Sequence, residues 1–168
     1  MWTTPKTNWQ VNEIVDAGDM NAIGDNLVAL KAPPSAQYIQ SAADYTTTST
    51  SFVDVDATNM AHTITTTGGD VLIGCILPMT NSLNVVNAYF DVTVDGVRMG
   101  GTDGLVVQTV PTALHAYVVS FMLFKTGLAA GSHTFKLQWK VNSGTGRIYS
   151  GSSATALTIA QFLVREVS

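Results

Sequence analysis

Three histidines and one cysteine are the side chains of this sequence that most often bind metals or act as nucleophiles. His62, His115 and His133 lie far apart in the chain, and Cys75 lies within the apolar run 71–77. A zinc site draws three or four protein ligands, so the sequence predicts no metal site and no cofactor. A reactive thiol needs a basic neighbourhood. Cys75 is therefore predicted to be a small buried hydrophobic residue.

The aspartates could supply calcium ligands or the acid pair of a glycosidase. Asp54 and Asp56 would share one strand face, but no carboxylate-rich loop accompanies them, so we interpret them as a solvated strand face. A glycosidase needs two carboxyl groups that face each other across a cleft. Nothing in the pattern selects such a pair, and Asp95 is better explained by a turn with Gly96. The aspartates that could supply such a pair are Asp70, Asp91, Asp95 and Asp103.

Motifs of nucleophilic and phosphate chemistry are absent from the sequence. There is no Gly-x-Ser-x-Gly elbow. Gly144-Thr145-Gly146 lacks the Lys-Ser/Thr and the following helix of a phosphate loop, and we interpret it as a hairpin turn. We therefore name no catalytic residue and predict that the protein is not an enzyme.

Several aromatic side chains could form a patch that stacks on sugars. Most of them fall in alternating strand patterns, which favours a position in the core. Binding to a glycan on a host surface stays open as an alternative. The residues concerned are Tyr45, Tyr89, Tyr117, Trp139 and Tyr149.

The composition excludes some classes of partner. The net charge is −4 and the eight basic residues are dispersed, whereas nucleic-acid binding needs clustered Lys and Arg. No apolar run approaches the roughly 20 residues of a membrane span, and the N-terminus shows no signal peptide. Only 12% of the residues are charged, which favours burial of neutral surface against partner proteins.

One convincing helix precedes the strands, and it lies within residues 1–34. Asp16 or Asp19 can cap it. A stripe at spacings of three, four and three residues runs along it, which suits a coiled-coil seam. The helix either lies on its own sandwich or forms a seam around an oligomer axis. The stripe consists of Met20, Ile23, Leu27 and Leu30.

An arm with two tryptophans comes before this helix. The arm that carries Trp2 and Trp9 is too short to bury both indoles by itself. The two side chains therefore either fold back on the body or dock on a partner. Tryptophan is enriched among interface hot spots, which favours docking. Pro33-Pro34 then ends the helix and forms a stiff linker.

Residues 35–168 read as successive strands separated by glycine-rich turns. Strand spacings of 8 to 12 residues are typical of a sandwich or barrel, and eight to ten strands in this length fit a jelly roll. The fold class is therefore all-β, a jelly-roll β-sandwich preceded by an extended arm and one short α-helix. Individual expectations are one strand over 45–56, a strand ending at Pro78, a buried strand over 116–124, and an Asp95-Gly96 hairpin.

The N-terminal segment resembles a recurring segment of bacteriophage virion proteins, in which Trp precedes a turn, a Val-Thr-Ala stretch, a Leu-Asn pair and a short helix. In this chain other residues replace the Gly and the Thr of that pattern. The matching positions are Trp9-x3-Glu13-x-Val15-x3-Asp19-Met20-Asn21-x-Ile23-x2-Asn26-Leu27-x2-Leu30.

The body is similar to the tumour-necrosis-factor-like jelly rolls of phage fibres and decoration proteins, through the segments 127–140 and 161–166. This resemblance implies a homotrimer in the virion, docked on major capsid or tail proteins through Trp2 and Trp9. It implies a capsid decoration, head-fibre or tail-fibre component. The alternative is a receptor- or carbohydrate-binding module of a phage tail.

Overall fold

A computed structural model describes residues 16–31, 33–39, 44–149 and 159–167. One helix, α1 (Ala17–Lys31), precedes twelve strands in the described residues. The strands are β1 (Ser35–Ile39), β2 (Tyr45–Thr47), β3 (Val53–Asp54), β4 (Ala61–Thr66), β5 (Gly69–Asn81), β6 (Val86–Val94), β7 (Val97–Arg98), β8 (Val106–Val110), β9 (Tyr117–Leu128), β10 (Gly131–Val141), β11 (Gly146–Ile148) and β12 (Gln161–Glu166).

The strands form two antiparallel sheets with jelly-roll order. In sheet A the order is β1–β12–β5–β9. Strand β11 pairs with β5 beyond the end of β12, on the same edge, and β2 pairs with β11. In sheet B the order is β4–β10–β6–β8, with β3 beside β10 and β7 beside β6. The eight principal strands are, in chain order, β1, β4, β5, β6, β8, β9, β10 and β12. When these are renumbered from 1 to 8, the strand order is 1-8-3-6 in sheet A and 2-7-4-5 in sheet B. This order confirms the predicted jelly roll.

The core lies between the sheets and follows the alternation of each strand. On β10, Phe135, Leu137, Trp139 and Val141 are all buried, as their period of two predicts. The large buried side chains of the opposite sheet include Phe162. One hydrophobic core therefore joins sheet A to sheet B.

The helix begins where the sequence predicted. The amide of Asp19 donates to Oδ1 of Asp16 at 2.8 Å, and the amide of Asp16 donates to Oδ2 of Asp19 at 3.3 Å. This reciprocal pair makes Asp16 the N-cap. The division of the chain at residues 34 and 35 stays a prediction.

The hairpin prediction is confirmed at Asp95-Gly96, where both residues have positive φ, 52° and 82°, as a two-residue hairpin turn of this type requires. The hairpin prediction for Gly144-Thr145-Gly146 is wrong. Strand β10 before it belongs to sheet B and β11 after it belongs to sheet A. The segment is a crossover between the sheets.

Two strand boundaries were also wrong. Strand β5 continues past Pro78 to Asn81. On one edge of β5, residues 71–76 pair with β12 and residues 79–81 pair with β11, so Pro78 lies in the gap between the two partners. A proline is tolerated there because no amide is needed for a hydrogen bond between strands. Residues 45–56 form two strands, β2 and β3, in different sheets. The Ser/Thr run between them makes hydrogen bonds to neighbouring residues and so does not continue as one strand. The Ser49 amide donates to Oγ1 of Thr47, and the Ser49 hydroxyl donates to the Ser51 carbonyl.

Candidate assembly surface

The side chains that could have carried catalysis are engaged in separate structural contacts. His62 is buried, stacks on Phe162 at 5.0 Å between ring centroids, and lies 3.1 Å from the Phe162 carbonyl oxygen. Burial lowers the pKa of His62. His115 contacts the ring of Tyr117. In the described ranges no group of three or more His, Cys, Asp or Glu side chains is placed to hold a metal ion.

Cys75 is a buried residue, as predicted. Its thiol faces the core cluster, and burial raises its pKa to about 12. A thiol with so high a pKa contains almost no thiolate at neutral pH, and the thiolate is the reactive form. The prediction of a small buried hydrophobic residue is confirmed.

The prediction that Asp54 and Asp56 form one solvated strand face is wrong. Asp54 accepts from Nζ of Lys136 at 3.1 Å and from Nε2 of Gln138 at 2.7 Å. Asp56 lies past the end of β3 and caps the next turn, where it accepts the amides of residues 58 and 59. It also accepts the hydroxyl of Tyr45 at 3.0 Å. Each carboxylate fixes local structure.

The other aspartates are also structural. Asp91 is fully buried, accepts the amide of Gly100 at 2.9 Å and lies 3.2 Å from Nε of Arg98. Asp95 accepts from Nδ1 of His133 at 2.7 Å. Each of these carboxylates has its own partner, and none of them forms an acid pair with another.

The aromatic side chains predicted for the core divide into two groups. Trp139 is 1% exposed and packs beside Phe90 with 6.4 Å between ring centroids, as predicted. The four tyrosines are only half-buried and lie at the edges of the packing; they are Tyr45, Tyr89, Tyr117 and Tyr149.

The two outer faces of the sandwich differ sharply in polarity. The outer face of sheet B carries mainly hydroxyl, amide and charged groups, with the exposed Val107 beside Tyr89 among them. The hydroxyls of Thr63 and Thr134 lie 2.9 Å apart, and Lys140 lies over the ring of Tyr89 at 4.7 Å. This face is compatible with direct contact with water.

The outer face of sheet A is apolar and exposed around Gly74, and the exposed Arg165 borders it beside Leu72. Cross-strand partners bring its outward-facing side chains into rows, with Phe124 opposite Leu72 and Met122 opposite Gly74. Met122 is 75% exposed. The exposed area of the patch is on the order of 500 Å², within the range of the largest apolar patches on ordinary monomers. We call this surface the apolar face; it consists of Ile39, Leu72, Ile76, Val118, Met122, Phe124 and Leu163.

The predicted buried strand over 116–124 is thus an edge strand with one face exposed. Within the described residues β9 pairs only with β5. Val119 is buried on its inner side, while Val118 and Phe124 are exposed on its outer side. The continuous apolar run in the sequence was the signal of this face, but the same pattern is expected of a strand buried on both sides.

A groove opens in the middle of the apolar face because Gly74 has no side chain. Its volume is about 460 Å³. Its outward-facing lining side chains are uncharged; they are Gln37, Ile76, Ser120, Met122, Gln161 and Leu163.

A second exposed apolar group lies at one end of the sandwich. Leu83, Val85 and Leu114 are exposed on the β5–β6 and β8–β9 loops, and Val85 and Leu114 are 77% and 73% exposed. Val85 and Leu114 have φ angles of 56° and 58°, in the left-handed region that is an outlier for branched or bulky residues. We call these three residues the loop knob.

The buried side chain of Asn81 holds the loop knob in place. The main-chain carbonyl oxygen of Asn81 accepts the amide of Leu114 at 2.8 Å, and its side-chain Oδ1 accepts the amide of Leu83 at 3.0 Å. Its Nδ2 donates to the carbonyl of Ser143 at 3.1 Å. One residue therefore ties together three loops, β5–β6, β8–β9 and β10–β11.

The predicted seam on α1 is exposed where its side chains are described. Met20, Ile23 and Leu27 are 58%, 43% and 61% exposed, so these three do not pack on the sandwich. The side chain of Leu30 and the two tryptophans, Trp2 and Trp9, lie outside the described residues. No helix in the described part of the chain is long and apolar enough to cross a membrane.

No family model and no curated protein match this chain. Solved structures with a related strand arrangement include T=1 particles derived from infectious bursal virus, at 12% identity and a TM-score of 0.48 over 80% of this chain. The chain spans 36% of that capsid chain. An Eiger TNF from S. frugiperda matches 82% of this chain and 95% of its own, at 12% identity and a TM-score of 0.44.

A pentameric capsid protein isolated from metagenomic phage sequences is 18% identical. It covers 93% of this chain and 78% of its own, with a TM-score of 0.31. Similarities of this size define no family, and the fold assignment above rests on the strand order of the chain itself.

Proposed function

We propose that this chain is a non-enzymatic structural protein of a virion, which acts by assembling with itself and with other virion proteins. The observation that carries the proposal is the exposed apolar face of sheet A. Surfaces of this kind on soluble proteins commonly mark sites of association. We infer a homotrimer of the capsid-decoration, head-fibre or tail-fibre type.

The exposed stripe of α1 supports the same proposal from a second element. Met20, Ile23 and Leu27 are positioned to form a seam with other copies, and we assign Leu30 to the same seam by its spacing. A helix of 15 residues is marginal by itself and gains stability from packing. A seam would therefore stabilise the helix and join the N-terminal arms of the copies.

We assign docking on major capsid or tail proteins to Trp2 and Trp9. Joining several arms in one oligomer multiplies weak individual contacts into avidity. The alanine variants Trp2→Ala and Trp9→Ala should lose co-sedimentation with virions while the oligomer persists. Retained co-sedimentation would remove the docking role from these residues.

Light scattering of the full chain tests the self-association. We expect a trimer mass for the unmodified protein, and Ile23→Asp or Leu27→Asp should lower that mass if α1 contributes the seam. Asn21→Asp is the matched control, because Asn21 is also exposed on α1 but lies off the stripe. A monomer at every concentration up to about 100 µM would contradict the proposal.

The polar outer face of sheet B favours a second candidate, a receptor- or carbohydrate-binding module. Tyr89 lies beside Asn87, and the Thr109 hydroxyl donates to Oδ1 of Asn87 at 2.9 Å. An aromatic ring next to amide and hydroxyl groups could recognise a host-surface glycan. Glycan binding that Tyr89→Ala abolishes would favour this function.

A further inference from the structure

We propose that the loop knob of one copy of this chain sits in the groove over Gly74 on the apolar face of the next copy. The contact is head-to-tail, since it joins two different surfaces of the same chain. The inference deepens the proposed function and rests on its self-association.

The shape of the apolar face calls for a convex partner. The groove over Gly74 holds about 460 Å³, and Met122 rises beside it because it is the cross-strand partner of Gly74. A flat apolar partner would leave the groove unfilled, and unfilled apolar space forfeits packing energy. A protruding apolar group fills the groove instead.

The loop knob is convex, apolar and held rigidly. Leu83 and Leu114 are fixed by hydrogen bonds from their amides to Asn81. Val85 and Leu114 keep left-handed backbone conformations that cost free energy in the isolated chain. A rigid, strained presentation suits a partner with a fixed shape. A lipid surface has no fixed shape and gains nothing from it.

The charges of the two surfaces also match. The outward-facing side chains that line the groove are uncharged, and the loop segments 82–85 and 112–116 contain no Asp, Glu, Lys or Arg. Burial of the two surfaces against each other therefore leaves no unpaired charge, whose desolvation would oppose association. Each copy supplies both surfaces, which makes a second copy the partner that fits.

Head-to-tail contacts close into rings when the rotation permits. In a ring every apolar face and every loop knob is covered, whereas an open chain leaves one of each exposed. Each contact joins the apolar face of one copy, about 500 Å², to the smaller loop knob of the next, and so buries less than the roughly 1,600 Å² total of a standard interface. Closure of the ring is therefore needed to stabilise the assembly. A closed trimer would thus cover both surfaces in every copy.

Disulfide trapping in the full-length chain tests the contact. Val85→Cys and Met122→Cys are made separately, mixed and oxidised. We expect the mixture to form a covalent dimer, and neither variant alone to do so. Cys75 adds no background because it is buried, and Val97→Cys mixed with Met122→Cys is the matched control. Val97 is 72% exposed, close to the 77% of Val85, but lies on β7 outside the knob.

Association measured by sedimentation gives the second readout. Leu114→Asp and Met122→Lys should each weaken association at least tenfold, and a mixture of the two should recover it partly through the new charge pair. Val97→Asp should leave association unchanged. All three changes are at exposed positions, so folding should persist.

The outcomes separate the two proposals. An oligomer in which Met122→Cys crosslinks to itself would replace the head-to-tail contact with a face-to-face one. An oligomer with no Val85–Met122 crosslink would overturn this inference and leave self-association standing, with α1 or another partner surface responsible. A monomer would overturn both. Binding of the loop knob to neutral lipid vesicles in place of a second copy would also overturn the inference.

Discussion

At the scale of single residues, the pair His133–Asp95 gives the fold a pH-dependent contact. Hydrogen bonding to Asp95, together with the Ala129 carbonyl 2.9 Å from Nε2, raises the pKa of His133, and the same pair lowers the pKa of Asp95. The raised histidine pKa contributes stability below its unfolded pKa of about 6.5, and this stability is lost as pH rises through the folded pKa. The carboxylate contributes above about pH 4.

We therefore expect His133→Asn to lower the free energy of unfolding more at pH 5.5 than at pH 8. The pH-dependent part should be at most about 1 kcal/mol, because the Asp95 side chain is about half exposed and solvent screens the pair. Urea unfolding at both pH values measures it. Burial lowers the pKa of His62, so His62 makes the protein less stable at low pH. Its contribution is the same in the unmodified protein and in the variant, and it cancels from the difference between them. An equal loss at the two pH values would refute the linkage.

Val85 adopts a backbone conformation that is unfavourable for its β-branched side chain. Its φ of 56° is costly for a β-branched residue, at about 1–3 kcal/mol, and its side chain is exposed and contributes little to the core. Val85→Gly should raise the stability of the isolated chain by about 0.5–1 kcal/mol, because removal of the strain outweighs the added chain entropy of glycine. The same change should weaken association.

Thermal unfolding at low and high protein concentration separates the two effects of Val85→Gly. At low concentration the variant should melt above the unmodified chain, and at high concentration the order should reverse. Val97→Gly is the control at a similarly exposed valine without positive φ. A variant less stable at every concentration would mean that the left-handed conformation carries no strain.

At the scale of elements, Asn81 at the end of β5 organises three loops. Its side chain is fully buried, and its groups bond to residues of all three loops. Asn81→Ala removes both side-chain bonds and leaves the Leu83 amide and the Ser143 carbonyl without these partners. We expect a loss of about 2–4 kcal/mol in the free energy of unfolding, measured by denaturant titration.

Asn84→Ala is the matched control, because Asn84 lies on the same loop but is exposed, and it should change stability by less than about 0.5 kcal/mol. Equal effects of the two substitutions would mean that the loops hold together without Asn81. Association should fall for Asn81→Ala beyond its loss of stability, because the knob loses its fixed shape.

The sequence predicted elements whose signals are local. The period of two on β10, the Asp95-Gly96 turn and the Asp16 cap each depend on a few adjacent residues. It did not predict the path of the chain between sheets, such as the crossover at Gly144, because that path is set by packing between distant residues. A local pattern also cannot separate an edge strand from a central one, so the apolar run of β9 predicts a buried strand although one face of β9 is exposed.

Of the candidate surfaces, the sequence shows only the stripe of α1, and its role as a seam stays a prediction. The stripe of α1 could be recognised by spacing, and its exposure is seen in the structure at Met20, Ile23 and Leu27. The apolar face assembles residues from four strands, the farthest of which, Ile39 and Leu163, are 124 positions apart in the sequence, so only strand register reveals it. The loop knob depends on positive φ at Val85 and Leu114, which a non-glycine residue does not signal.

At the scale of the whole molecule, the two faces of the sandwich divide between partner and solvent. Sheet B presents paired hydroxyls and charges outward, while sheet A presents Ile76, Met122 and Phe124. An assembly that covers sheet A and leaves sheet B exposed satisfies both faces at once. The net charge of −4 is small, so repulsion between copies is a weak opposing force at physiological ionic strength.

This division predicts how salt affects association. An interface of uncharged apolar side chains gains little from Coulomb attraction, so the dissociation constant should change less than about threefold between 50 and 500 mM sodium chloride. Sulfate strengthens the burial of apolar surface and should tighten association at matched ionic strength. Sedimentation equilibrium in the two salts measures both effects. A dissociation constant that rises tenfold or more with sodium chloride would assign the interface to charged residues, and sheet B would then replace sheet A as the contact.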